Sequence, residues 1–111
     1  MDDAYRAINN LCQEIYQDAL KKGWYEIPRR PAEVHMLVVG EIAEATEEVR
    51  NGTDPVYFKE GKPEGELIEL ADAVIRILDY CGSKNWELGN AIQIKRDFNK
   101  TRPHRHGGKL L

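Results

Sequence analysis

The amino-acid sequence predicts an all-α fold, built as a four-helix bundle. Four segments place apolar residues at helical spacing, and glycine or proline residues mark the breaks between them. No segment shows the sustained apolar–polar alternation of a half-buried strand, so we expect little or no sheet. Of the 111 residues, 41% are hydrophobic and 32% are charged, which is enough apolar material for one core, so residues 1–111 are expected to form a single domain.

The first two predicted helices cover residues 3–22 and 31–50. Gly23 is a typical stop for the first, because glycine readily adopts the left-handed conformation that ends many helices. Pro31 suits the first turn of the second because its missing N–H would have no partner there, and Asn51-Gly52 ends that helix. The apolar stripe of the first helix consists of Ala4, Ile8, Leu11, Ile15 and Ala19.

The last two predicted helices cover residues 63–80 and 86–100. Gly82 lies just beyond the third helix, and Pro103 prevents much extension of the fourth. Residues 51–62 form the longest connection, and connections of this length are often functional. The stripe of the third helix consists of Leu67, Leu70, Ala71, Val74 and Leu78, and that of the fourth of Leu88, Ala91, Ile92 and Ile94.

The third segment is apolar over a wider arc than one stripe, because Ile68, Ile75 and Ile77 lie beside the main stripe. A bundle of four short helices has too few neighbours to cover such an arc. We therefore expect identical chains to complete the bundle, as a homodimer or a homotetramer.

Membrane and secretory functions are disfavoured by the sequence. No apolar run approaches the roughly 20 residues that span a bilayer, and the acidic start Met1-Asp2-Asp3 lacks the basic region of a signal peptide. We expect a cytoplasmic protein without a membrane partner. Cys12 and Cys81 each lie in an apolar helical pattern and are expected to be reduced thiols in the core.

Charge is distributed unevenly around a net value of −3. Residues 41–79 contain eleven acidic and four basic side chains, whereas residues 95–109 contain six basic side chains and one acidic side chain. The acidic middle and the net negative charge argue against a nucleic acid as the partner.

Four acidic residues in this middle region form two pairs, each able to offer two carboxylates to one ion. Glu41 and Glu44 in the second helix, and Glu69 and Asp72 in the third, are each three residues apart and so project from one face. Closely spaced carboxylates repel, and a hard divalent ion such as Mg²⁺ or Mn²⁺ compensates them. An ordinary solvated face is the alternative, because acids at this spacing occur on many surface helices.

The order of these motifs resembles that of a known family. Gly40 and Glu41-Ile-Ala-Glu44 are followed after 24 residues by Glu69-Leu-Ala-Asp72, and residues 95–103 resemble a "K-x-x-x-N-x-x-R" tail. Over about residues 31–109 the chain is similar to MazG-type nucleotide pyrophosphohydrolases.

This resemblance implies a MazG-type fold and Mg²⁺-dependent hydrolysis of nucleoside or deoxynucleoside triphosphates to a monophosphate and pyrophosphate, in nucleotide-pool housecleaning. It implies that the metal is held by Glu41, Glu44, Glu69 and Asp72. One of these carboxylates would act as the base or orient the water, and we favour Glu44, with Glu41 as the alternative. The phosphates would be bound by Lys95, Asn99, Lys100 and Arg102.

Several residues allow two interpretations. Trp24 is a candidate for stacking on the base, although packing in a core or an interface is the commoner fate of tryptophan. Glycine inside a helix costs about 1 kcal/mol relative to alanine. At Gly40 we expect close approach of a neighbouring helix to offset this cost, with a tolerated defect as the alternative. His104 and His106 are better explained by a phosphate-facing or solvated tail than by a metal site.

Two other classes of function stay open beside the enzyme: a helical interaction module, and a nucleic-acid binder that would use the basic tail and against which the acidic middle argues. A non-catalytic helical interaction module would use the same amphipathic helices to bind a partner protein, and it predicts no effect of divalent ions on melting temperature. A di-iron carboxylate bundle is disfavoured because the sequence contains no Glu-x-x-His pair.

Overall fold

The computed structural model describes residues 2–103, which form four α-helices and one short hairpin. The mostly helical class predicted from the sequence is confirmed. The histidines at 104 and 106, considered above, lie outside the described residues. The helices are α1 (Asp3–Lys21), α2 (Pro31–Arg50), α3 (Glu66–Ser83) and α4 (Leu88–Lys100); strands β1 (Tyr57–Lys59) and β2 (Lys62–Glu64) pair antiparallel.

The start predicted for the third helix was wrong. Pro63 lies in β2, opposite Phe58 of β1, and α3 begins only at Glu66. The boundary is set by Gly65, whose φ of 118° favours glycine and whose Cα lies against the Pro55 backbone carbonyl, so a side chain there would collide. Much of the connection 51–62 is therefore ordered as a hairpin.

Helix α3 is central to the fold, because it packs against both α2 and α1, while α4 packs against α1. The core lies between α1 and α3 and contains Cys12, Leu78 and Cys81, with Ile8, Ile15 and Leu88 packed around it. Both cysteines are buried free thiols, as the sequence predicts.

The apolar stripe predicted for α3 is mostly exposed in a single chain. Leu67 is 54% exposed, Leu70 37% and Val74 51%, whereas Leu78 of the same stripe is buried. The face of α3 that packs against α2 is instead the one that carries the acidic residues. Helical spacing identifies which residues share a face, but it does not identify which face docks, and this is why the core face was assigned wrongly.

None of the helices within residues 2–103 combines the length and the apolarity that a membrane crossing requires.

Two glycines that sit in helices have opposite surroundings. A Cβ on Gly82 would collide with the backbone carbonyl of Cys12 and would lie 2.7 Å from the Tyr16 Cβ, so Gly82 allows α1 and α3 to approach closely. Gly40 has no atom within 4 Å of such a Cβ, so the close approach expected at Gly40 does not occur within one chain.

These environments predict opposite effects of the same substitution. Gly82→Ala should lower the free energy of unfolding by about 1–3 kcal/mol, because overpacking forces α1 and α3 apart. Gly40→Ala should raise it by about 1 kcal/mol, because alanine is the better helix former and has room for its methyl group. Urea unfolding followed by circular dichroism measures both, and a Gly82→Ala protein as stable as wild type would contradict the packing described.

Candidate active site

The side-by-side packing of α2 and α3 brings acidic residues together. One carboxylate oxygen from each of Glu41, Glu69 and Asp72 lies within 4.8 Å of the others, and we call these residues the carboxylate triad. Glu69 and Asp72 share a face of α3 because they are three residues apart, and α2 contributes Glu41 from the opposite side. Carboxylates from two helices therefore converge at one point.

Glu44, the fourth predicted ligand, lies at the edge of the triad. Its side chain shares a hydrogen bond with Glu69, and the residue is exposed. All four acidic residues that the sequence singles out are thus neighbours in the structure. Glu44 is the exposed member of the pair on α2.

Burial and repulsion from neighbouring carboxylates make Glu69 and Asp72 costly to ionise. Burial raises the pKa of Glu69 to about 7, and hydrogen bonds shared with Glu44 and Glu41, together with the charge of Asp72, act in the same direction. The pKa of Asp72 is also raised, by burial and by the negative charge of Glu41. A cluster that would otherwise take up a proton near neutral pH is well suited to a divalent cation.

Two basic residues partly offset this charge, and neither was predicted from the sequence to be functional. Arg76 Nε donates to Glu41 Oε1 at 3.1 Å, with the two side chains only 25% and 13% exposed. Lys62 of β2 is close enough to lower the pKa of Asp72 electrostatically. Arg76 follows Asp72 by four residues, so helical spacing alone places it on the acidic face of α3. Lys62 belongs to a hairpin, which helical periodicity does not reveal.

The hairpin is tied to α2 through Glu48. The Tyr57 hydroxyl donates to both Glu48 carboxylate oxygens, at 2.9 and 3.0 Å, and the Thr53 hydroxyl donates to Oε2 at 2.6 Å. Glu48 therefore holds the segment that carries Lys62 and does not extend the triad.

A cavity of about 310 Å³ lies beside the triad, and Arg76 lines it. Trp24 also lines the cavity and is 51% exposed, so it is not a core residue in a single chain. The other lining side chains include several aromatic rings and one carboxylate: Tyr16, Tyr25, Tyr80 and Asp79. The triad and the cavity are thus connected through one arginine.

The polar centre of this cavity is the pair formed by Tyr25 and Asp79. The Tyr25 hydroxyl donates to Asp79 Oδ1 at 2.8 Å, and the Tyr25 ring packs edge-on against Tyr16 with centroids 5.1 Å apart. Burial and this hydrogen bond raise the pKa of Tyr25 to about 12. Burial raises the pKa of Asp79, while Tyr25, Arg29 and Arg76 act against that rise.

The predicted phosphate-binding residues do not reach the triad within one chain. Lys95, Asn99, Lys100 and Arg102 are exposed on or just after α4, and α4 packs against α1. The α1–α4 contact includes Arg96 Nη1 donating to the Tyr5 hydroxyl at 2.6 Å. The triad lies toward the other end of α3, about 15 Å along the helix from Gly82, which contacts α1.

No family model, no curated protein and no solved structure matches this chain. The functional interpretation therefore rests on the side chains and their geometry.

The pKa of Glu69, which burial and the neighbouring carboxylates raise, predicts how stability changes with pH. Because folding raises this pKa from 4.5 to about 7, the native state binds more protons than the unfolded state between these values. In EDTA, stability should therefore fall as pH rises through this window, and Glu69→Gln should flatten the fall. Melting temperatures measured from pH 4.5 to 8 provide the test.

The matched control is Glu47→Gln, which alters an exposed acid on α2 that pairs only with Arg50 at 3.7 Å. It should keep the wild-type pH dependence. An unchanged slope in Glu69→Gln would show that this carboxyl does not carry the effect.

Proposed function

We propose that this protein is a cytoplasmic, MazG-type nucleotide pyrophosphohydrolase, which hydrolyses nucleoside or deoxynucleoside triphosphates to a monophosphate and pyrophosphate with Mg²⁺. The observation that carries the proposal is the convergence of Glu41, Glu69 and Asp72 within 4.8 Å, beside a cavity of about 310 Å³. The likeness of the acidic and basic motifs to that family supports the same reaction.

The donor set suits a hard divalent cation. All its atoms are carboxylate oxygens, which Mg²⁺ prefers and Mn²⁺ accepts. Burial, and then the neighbouring carboxylates, raise the pKa of Glu69, and a cation would neutralise the negative charge of those neighbours. When bound, the ion would offset the phosphate charge and make a bound water more acidic. The triad and Glu44 would hold it.

We assign proton transfer to Glu44. One oxygen of Glu41 already accepts a hydrogen bond from Arg76, whereas Glu44 is exposed at the edge of the triad. A Glu44 carboxylate oxygen would accept a proton from the attacking water as the α–β phosphate linkage breaks and pyrophosphate leaves. Glu41 remains the alternative base.

The phosphates would lie at the triad, and the base would lie in the adjoining cavity. Among the described residues, Lys62 and Arg76 are the cations that act on Asp72, and both can meet phosphate oxygens. Trp24, at the cavity wall, offers its exposed ring for stacking on the base.

We further propose that the protein is a homodimer or homotetramer in which a neighbouring copy completes the site. Side chains such as Met36, Leu67 and Val74 are more than half exposed, and an interface between copies would remove them from water. A second copy would cover this surface and could bring Lys95, Asn99, Lys100 and Arg102 to the phosphates.

The exposed apolar side chains also favour the second candidate function, a non-catalytic helical module that binds a partner protein. That module has no use for a divalent ion. A melting temperature that Mg²⁺ leaves unchanged would therefore favour it over the enzyme.

The enzyme proposal predicts that protein with Mg²⁺ releases pyrophosphate from at least one nucleotide in a panel of canonical, deoxy and damaged triphosphates. Glu41→Gln and Asp72→Asn should each lower kcat/KM by about 100-fold or more, because each removes a charged ligand. Glu47→Gln, the exposed control on the same helix, should retain activity. Turnover near the wild-type value in Asp72→Asn would refute the assigned site.

The shared-site proposal predicts complementation between two inactive variants. Mixing Asp72→Asn with Arg102→Ala under exchange conditions should restore about a quarter of wild-type activity in a dimer, since half the dimers are mixed and each has one intact site. Pyrophosphate release measures the recovery.

Association itself is checked by light scattering. Val74→Arg places a charge on a side chain that is 51% exposed in one chain, so it should leave folding intact while lowering the molar mass and abolishing complementation. Gln17→Arg on the exposed side of α1 is the matched control. No recovery in mixtures of dimeric variants would place the phosphate contacts within one chain.

A further inference from the structure

Asp79 is the only acidic side chain among the described residues that line the cavity. The rest of the lining is aromatic, aliphatic or basic, with Ser83 as a hydroxyl. This carboxylate would contact a ligand that enters the cavity. Burial already disfavours its charged form. Its oxygens are therefore the strongest hydrogen-bond acceptors available to a ligand there.

Among the described residues, Tyr25 is the one that donates a hydrogen bond to the Asp79 carboxylate, while Arg29 and Arg76 of the same cavity lining act on it through their charge. Its Oδ1 accepts the hydrogen bond from Tyr25, and Tyr25 is braced by the edge-on contact with Tyr16. No described residue donates a hydrogen bond to Oδ2, and Oδ1 keeps a second lone pair. The carboxylate thus has acceptor capacity left on both oxygens while its orientation is fixed.

Asp79 also lies at a suitable place relative to the triad. It follows Asp72 by seven residues on α3, two helical turns and about 10 Å along the axis, so the two carboxylates share a face. Arg76 lies between them and lines the cavity. A nucleotide whose phosphates meet the triad would extend past Arg76 and present the far edge of its base to Asp79.

The chemistry of that edge discriminates among the bases. Guanine presents two adjacent donors, N1–H and the 2-amino group, which match the two oxygens of a carboxylate. Uracil and thymine place a single N–H between two carbonyl oxygens, which repel a carboxylate. Adenine and cytosine place their amino group, which is a donor, beside a ring nitrogen that is an acceptor, so only one of the two carboxylate oxygens finds a donor. An ionised carboxylate therefore pairs fully with guanine alone among these bases.

We propose that Asp79 is a specificity-determining residue that selects guanine, so that the substrates are guanine nucleoside triphosphates. The inference rests on the proposed function for the location of the phosphates, and it goes beyond that function in naming the base and the side chain that reads it. Asp79 touches the base and takes no part in bond breaking.

The test exchanges the hydrogen-bonding pattern of residue 79. Wild-type protein with Mg²⁺ should show a higher kcat/KM for GTP than for ATP, CTP and UTP. Asp79→Asn should lower the value for GTP by about 10- to 100-fold, because an amide offers a donor where the carboxylate offers an acceptor. The same variant should gain activity on xanthosine triphosphate, whose 2-oxo group accepts from the new amide N–H.

The matched control is Asp18→Asn, which alters an exposed acid of α1 outside the cavity lining and should leave the GTP preference unchanged. Asparagine has nearly the shape of aspartate and can still accept from Tyr25, so the variant should fold. Circular dichroism checks this. A gain on xanthosine triphosphate cannot arise from misfolding.

Calorimetric binding of GTP, ATP and xanthosine triphosphate separates this inference from the proposed function. Guanine-selective binding that Asp79→Asn redirects to xanthine, without pyrophosphate release by wild type, would sustain the inference and overturn the enzyme. Pyrophosphate release with no preference for GTP, or with a preference that Asp79→Asn leaves intact, would overturn the inference and sustain the enzyme. The absence of both binding and release would overturn both.

Discussion

The packing of the acidic face of α3 against α2 is the constraint on which the rest of the structure depends. It places Glu41, Glu69 and Asp72 within 4.8 Å of one another, where burial and the neighbouring carboxylates raise the pKa values of Glu69 and Asp72. On a solvated face these acids would be separated by water and would contribute little beyond charge. Packed together, they leave the fold with an electrostatic cost that Arg76, which is hydrogen-bonded to Glu41, and Lys62 offset only in part. Protonation or a cation must offset the remainder.

The same helix arranges the chemistry of the site in order. From the amino end of α3, Glu69 and Asp72 provide hard oxygen atoms, Arg76 provides a cation, and Asp79 provides an acceptor inside an aromatic cavity. These residues recur at intervals of three or four, so they share one face over about 15 Å. Under the proposed function, Glu69, Asp72 and Arg76 would face the metal and the phosphates of one extended nucleotide, and Asp79 would face its base.

The opposite face of α3 carries the leucines and Val74 that the sequence assigns to the core and that a single chain leaves exposed. One helix thus presents an acidic face to its own chain and an apolar face outward. Under the proposed association, both faces become buried, and the apolar stripe takes the role that its periodicity predicts. The proposed association also accounts for the distance between α4 and the triad, since the basic residues of α4 would bind phosphates at the site of a neighbouring copy.

The sequence by itself determined the number and approximate bounds of the helices, the burial of Cys12 and Cys81, and the identity of the four neighbouring acids. These depend on spacing within one helix, and helical spacing is a local property. Tertiary structure alone decided which face of α3 docks on α2, where Lys62 lies, and how Trp24, Tyr25 and Asp79 enclose one cavity. Such features require segments far apart in the chain to meet, and the angle at which one helix lies on another is absent from the periodicity of either.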